Sequence, residues 1–500
     1  RYNIRKHIMA LIPLKVPAGF YRNGTDLDSA GRWRDGSLVR WRDGSLRPIG
    51  GWQNRKTGFS THPTRGMHSW EANDGTAWLA GGSHTELSVM TGSNTVYDVA
   101  PSNLATGRSD AGIETGYGYG FYNTGFYGSP RPDYGNYSEA TTWSLDNWGE
   151  YLVACNTDDG RLLEWRLNTG TDAAVIANAP TGNFGLIVTE ERFIFALGSG
   201  GNPRKISWCD REDNTLWTPA ATNEAGDIEL QTSGQIMLAT RTKGQTLILT
   251  DVDAHTGTYI GPPYVHGFTR VGTSCGAISR RCAADVDVGV FWMGQRGFYM
   301  FDASGVSEIP CEVHDYVFSD MNTAQQSKIW ALNNGQFGEV WWFYCSGDST
   351  EIDRYVAFDY KERHWLIGEL DRTSGVQRGV FKYPFMTTAA SKLKEHEVGL
   401  NVGGERIFAE TGPISIGYGD QVMSVTQLIP DEQSQGDVDV SFKTRFHPND
   451  VERTYGPYDP NNPTSVRFSG RQMRMLVEGD RLAHWKVGTM RVDAKPMGKR

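Results

Sequence analysis

The runs GMHSWEA (66–72), TAWLAGG (76–82), ELSVM (86–90) and TVYDV (95–99), broken by the turns Asn73-Asp74-Gly75 and Thr91-Gly92-Ser93-Asn94, decide the reading of the fold. Apolar and polar residues alternate within each run, the pattern of a half-buried strand, and the breaks carry hairpin-turn residues. Four short antiparallel strands therefore occupy the span. Comparable units follow at 143–177, with Asp159-Gly160 as a hairpin turn, and at 184–210, 236–251, 289–309 and 330–368. A period of roughly 40 to 50 residues is that of four-stranded propeller blades. The Trp-Asp dipeptide and the kelch glycine pair are absent from the register.

The expected fold is all-β: a divergent β-propeller of about six blades over residues 57–385, with an additional small C-terminal β-domain at 386–500. Tandem β-sandwiches are the competing architecture. Residues 1–56 form a strand-bearing N-terminal docking segment. A Gly/Tyr-rich insertion at 112–137, including GYGYGFYNTGFYGSPRPDYGNY, has too few aliphatic residues for a core and is expected to be a long surface loop.

Composition narrows the class. Of 500 residues, 38% are hydrophobic, 59 are Gly and 21 Pro, and the mean hydropathy is −0.47. This excludes collagen and wholesale disorder. No apolar stretch approaches the roughly 20 residues of a membrane helix, so membrane insertion by this chain is not expected. Six scattered cysteines without a Cys-x-x-Cys pair read as reduced core thiols of a protein made in a reducing cytoplasm. The net charge of −9 is unevenly spread: residues 1–56 hold twelve Lys/Arg against four Asp/Glu, and residues 465–500 hold nine against three. Two basic ends thus flank an acidic middle, which argues against tight nonspecific nucleic-acid binding, since that depends on neutralising phosphates.

Chemical motifs fail in detail. Gly272-Thr273-Ser274-Cys275-Gly276 matches the nucleophile elbow but precedes strands, where a helix is required. His396-Glu397 begins a zincin motif whose second His is replaced by Leu400. The Asp251-x-Asp253 run has Pro262 where a calcium loop places its bidentate Glu. No catalytic residue, metal site or cofactor is expected, and the chain reads as a protein that is not an enzyme.

The most distinctive passage is LIPLKVPAGFYRNGTDLDSAGRWRDGSLVRWRDGSLRPIGGW (11–52), in which RWRDGSL at 32–38 repeats at 40–46. It resembles the N-terminus of tail nozzle proteins of short-tailed bacteriophages, relatives in role of the packaged-DNA stabilisation proteins. The resemblance continues in GAISRRCAADVDVGVFWMGQRGFYMFD (276–302), SGRQMRMLVEGD (469–480) and HWKVGTMRVDAKP (484–496).

It implies a structural virion protein. The protomer would assemble into a homohexameric ring beneath the head-to-tail adaptor ring, bound the DNA exit channel, and help retain and release the genome. It would be located in the virion tail and made in the host bacterial cytoplasm. Its partners would be tail needle, fibre or tailspike proteins, and genomic DNA passing without sequence-specific binding. On this reading Arg32, Trp33, Arg34, Arg40, Trp41 and Arg42 belong to a docking surface, because Arg and aromatic residues dominate interface hot spots. Tyr117, Tyr119, Phe121, Tyr122, Phe126 and Tyr127 of the insertion would narrow the channel or hold a partner. The alternative is a propeller enzyme acting on host surface polysaccharide, which needs a carboxylate pair in a cleft.

Overall fold

The computed structural model describes residues 10–114, 136–416, 421–432, 437–460, 463–479 and 482–498. Among them, seven four-stranded antiparallel sheets follow one another, six of them simple meanders of consecutive strands and the seventh completed by a strand from the N-terminal segment. Their first strands are Met67–Glu71, Trp143–Trp148, Gly185–Val188, Ile236–Thr242, Ala283–Val286, Trp330–Asn334 and Ser374–Val376. Each of these strands contacts the next, and the last contacts the first, so the seven sheets close a ring. This is a β-propeller with the first strand of every blade on the axis.

All six sequence units fall within blades. The seventh blade escapes a linear search because its strands Ser374–Val376, Phe385–Thr387 and Lys392–His396 are short, and its outermost strand, Trp52–Thr57, comes from the N-terminal segment. Lys392 pairs with Thr57 and His396 with Trp52. This strand from the other end of the propeller sequence closes the ring. Apolar layers fill the spaces between blades, as where Trp78 meets Trp165 edge-on at 5.0 Å between the first two.

The second body is a β-domain of two sheets. One has the strand order Ala10–Pro13, Arg491–Gly498, Val422–Ile429, Thr464–Gly470, and the other runs from Trp33–Ser37 through Phe408–Thr411, Gln472–Gly479 and Val438–Arg445 to Arg453–Tyr458. Phe442 of the second sheet stacks at 4.8 Å on Phe468 of the first. The N-terminal segment is therefore no separate domain: it supplies one strand to each sheet of the β-domain and one to the propeller. The division at 385/386 also shifts, because the seventh blade continues to His396.

This arrangement gathers the basic ends. Residues 57–396 hold 24 Lys/Arg against 40 Asp/Glu, a net −16, whereas the N-terminal segment and residues 397–500 together carry +7. The propeller is acidic and the β-domain with its connecting segment is basic.

Candidate functional site at the joint of the two bodies

The repeated heptads are where the bodies meet, and the two copies fold differently. In the first, Trp33–Ser37 is a strand paired with Phe408–Thr411. Gly36 is required there, since a Cβ would lie 2.4 Å from the Phe20 ring and 2.7 Å from the Phe408 carbonyl oxygen. In the second, Val39–Arg42 and Ser45–Pro48 form a hairpin whose turn residues Asp43 and Gly44 have φ of 52° and 72°. Asp-Gly with both residues at positive φ matches the strand twist of a two-residue hairpin. The same dipeptide runs extended in one copy and turns in the other because tertiary contacts decide.

Trp33 and Trp41 come together, their ring centroids 5.8 Å apart, but inside the protomer. They are 4% and 2% exposed, and Trp41 packs edge-on against Phe20 at 5.0 Å and His364 of the sixth blade at 5.8 Å. The expectation that these tryptophans anchor an outward docking surface is corrected: their apolar area is already spent joining propeller to β-domain.

Arg40, buried with them, sits between two carboxylates. Its Nε lies 2.9 Å from Glu339 Oε1 and its Nη2 donates to Glu397 Oε1 at 2.6 Å, while the guanidinium stacks 3.7 Å from the Phe337 ring centroid. Asn334 and the Trp341 indole N–H donate to Glu339 Oε2 at 3.2 and 2.9 Å, and the Gly50 amide donates to Glu397 Oε2 at 3.0 Å. Burial by itself would lower the Arg40 pKa; Glu339 and Glu397 outweigh it and hold it above its usual value. Burial raises that of Glu339 despite Arg40.

The other arginines of the heptads also serve the joint. Arg32 reaches Glu312 at 2.6 Å, Arg34 lies 3.3 Å from Asp26, and Arg42 donates to the Phe337 carbonyl at 2.6 Å. Arg32, Arg34 and Arg40 thus engage carboxylates of their own chain. Arg42 remains half-buried and, with Arg47, exposed His484 and half-buried Lys486, lines an open cleft of about 530 Å³ beside the buried cluster. Arg42, Arg47 and Lys486 leave the cleft basic on balance, although Glu397 also lines it and Arg47 lies 3.6 Å from Asp43.

Residues that sequence reasoning missed are Glu339 and Glu397. Glu339 opens the wholly buried strand Glu339–Tyr344, and an acid leading the apolar run VWWFY was the available signal. His396-Glu397, read as a broken zincin, is structural: Arg372 Nε donates to His396 Nε2 at 2.8 Å. Ser274 sits in a turn at φ 55°, where its carbonyl accepts from the Tyr299 hydroxyl at 3.2 Å. The six insertion aromatics from Tyr117 to Tyr127 lie outside the described residues. Among the described residues no group of three or more His, Cys, Asp or Glu is placed to hold a metal ion.

No family model and no curated protein matches the chain. Among solved structures it is similar to virginiamycin B lyase from Staphylococcus aureus, with 9% identity, TM-score 0.40, and coverage of 69% of this chain and 98% of that one. It is also similar to YCF48 bound to D1 peptide, with 10% identity, TM-score 0.41, and coverage of 72% and 97%. BamB from Moraxella catarrhalis shares 16% identity at a TM-score of 0.30, with coverage of 55% and 81%. The expectation that the chain is not an enzyme is withdrawn at this point: a β-propeller does not by itself exclude catalysis, because function is decided by the site and not by the fold.

Proposed function

We propose that the chain is the protomer of a ring-shaped tail nozzle in the virion of a short-tailed bacteriophage, docked beneath the head-to-tail adaptor and helping to retain and release the genome. The observation that carries this reading is the convergence of the stretches that resemble nozzle proteins. Trp33 and Trp41 from the first, Trp292 and Phe298 from the second, Met473 and Met475 from the third, and Trp485 and Val492 from the fourth belong to one continuous core. The stretches that carry the resemblance thus meet in the core shared by the later blades and the β-domain.

In this reading the DNA path runs between protomers. The cavity of about 230 Å³ on the propeller's own axis is far too small for a duplex whose major groove alone is about 12 Å wide. A passage walled by the acidic propellers would repel phosphates and let the genome slide. The basic cleft of Arg42, Arg47 and Lys486 replaces the buried tryptophans as the surface offered to the adaptor, and the insertion at 112–137 is left for needle, fibre or tailspike proteins.

Class averages of the chain mixed with the purified adaptor test this. A six-fold ring seated on the adaptor, lost in the Arg42→Glu, Lys486→Glu double variant while the free ring persists, is expected. Failure of the wild-type chain to join the adaptor contradicts the proposal.

A further inference from the structure

An open cavity of about 490 Å³ lies at one end of the fourth blade. Its wall comes from the link between the third and fourth blades at 231–233, from Val252 and Asp253, and from the end of the outermost strand, Val265–Thr273. The volume falls within the roughly 300 to 1,000 Å³ of small-molecule sites. Asp253 opens the strand Asp253–Gly261, in which Asp253 pairs with Thr273 and His255 with Arg270 of the outermost strand. Directly opposed residues project to one side of a sheet, and so do alternate residues of one strand. Asp253, His255, Thr273 and Arg270 therefore share a face.

The Asp253 side chain is 4% exposed, and its two oxygens are treated differently. Oδ1 accepts from the Thr232 hydroxyl at 2.9 Å, the Thr250 hydroxyl at 2.6 Å and His255 Nε2 at 3.1 Å. A carboxylate oxygen has about two lone-pair sites, so these three donors saturate it. Oδ2 accepts from none of the described residues, yet it keeps accessible surface. A buried carboxylate oxygen needs a donor, and because Asp253 lines the cavity, that donor comes from there, as water or as a ligand. Arg270 brings the opposite charge to the same cavity. It is exposed and forms no ion pair among the described residues, with Asp253 or with any other acid. Two opposite charges thus line one space without neutralising each other.

We propose that this cavity binds a small zwitterion of the amino-acid class, its ammonium donating to Asp253 Oδ2 and its carboxylate accepting from Arg270. An ammonium has three N–H donors. One satisfies Oδ2, and Gln231, Thr273 and Ser274 in the lining offer oxygens to the others. A guanidinium matches a carboxylate with two parallel N–H groups. A simple cation would be repelled by Arg270 and a simple anion by Asp253, whereas a molecule carrying both charges is drawn by each. Among the described residues no aromatic ring lines the cavity, so a planar ligand finds no face to stack on. This assignment is independent of the nozzle reading, since it rests on the fourth blade and the link before it.

The test is saturation-transfer difference NMR of the full chain with each of the twenty common L-amino acids in turn, followed by calorimetric titration of those that give a signal. At least one is expected to fill a single saturable site per chain. Its affinity should fall at least tenfold in Asp253→Asn, which keeps an oxygen for Thr232, Thr250 and His255 but removes the charge and puts a donor in place of Oδ2. It should fall at least tenfold in Arg270→Gln as well, and acetate and methylammonium, which carry one charge each, should bind at least tenfold more weakly. No saturable binding by any of the twenty, or unchanged affinity in Arg270→Gln, would overturn the assignment. Should Asp253→Asn fail to fold, Arg270→Gln decides the matter, because this exposed arginine holds no carboxylate of the fold in place.

Discussion

Arg40 and Glu397 are 357 positions apart and meet at 2.6 Å in the interior, where the N-terminal hairpin, the sixth blade and the start of the β-domain converge. Glu397 holds this place at a positive φ of 60°, and Gly50 must lack a side chain there because a Cβ would fall 2.3 Å from Glu397 Oε2. Strained backbone of this kind persists where surrounding contacts over-determine it.

Replacing Arg40 by Met leaves Glu339 and Glu397 buried without their cation. The expected loss is about 3 to 5 kcal/mol, the usual cost of removing one partner of a buried ion pair. Combining Arg40→Met with Glu339→Gln and Glu397→Gln should recover much of it, measured as the urea midpoint of the transition that includes the joint. A single variant as stable as wild type contradicts the arrangement.

Trp33→Ala and Trp41→Ala should each destabilise the fold by about 3 to 5 kcal/mol through the cavity left behind. Because both rings are internal, binding to any partner should fall only as far as the folded fraction falls. Partner binding lost from a variant whose melting temperature is unchanged would return these residues to an outward surface.

Deleting residues 52–57 removes the strand that completes the seventh blade. Amide exchange in Phe385–Thr387 and Lys392–His396 should then accelerate at least tenfold relative to the fourth blade, which is built from local sequence. Uniform exchange across blades contradicts closure by this strand.

How much of this was legible in the sequence follows from how local each feature is. Six blades announce themselves because alternation and turn residues lie within one window; the seventh does not, because its last strand is separated from the others by the rest of the propeller. The RWRDGSL repeat singled out Trp33 and Trp41, whose rings meet at 5.8 Å. Their burial was not legible, since it depends on His364 and Phe20 arriving from elsewhere.

His266 gives a pH dependence. Phe193, Phe195 and Trp208 surround its ring at 4.8 to 5.1 Å, and burial lowers its pKa to about 4. The folded state takes up the proton less readily than the unfolded chain, whose histidines titrate near about 6.5. Stability is therefore full above about pH 6.5 and declines as pH falls towards 4, by about 1.4 kcal/mol per pH unit for this one group. Burial lowers the pKa of His396 in the same direction. His266→Leu should remove one proton's worth of the slope in that window; an unchanged slope contradicts the assignment.

Sedimentation velocity of the purified protein tests whether the chain assembles into the proposed ring. One species of six times the 55.6 kDa protomer mass is expected, with six-fold class averages open at the centre. A monomer at all concentrations, unchanged on addition of the adaptor, would contradict it.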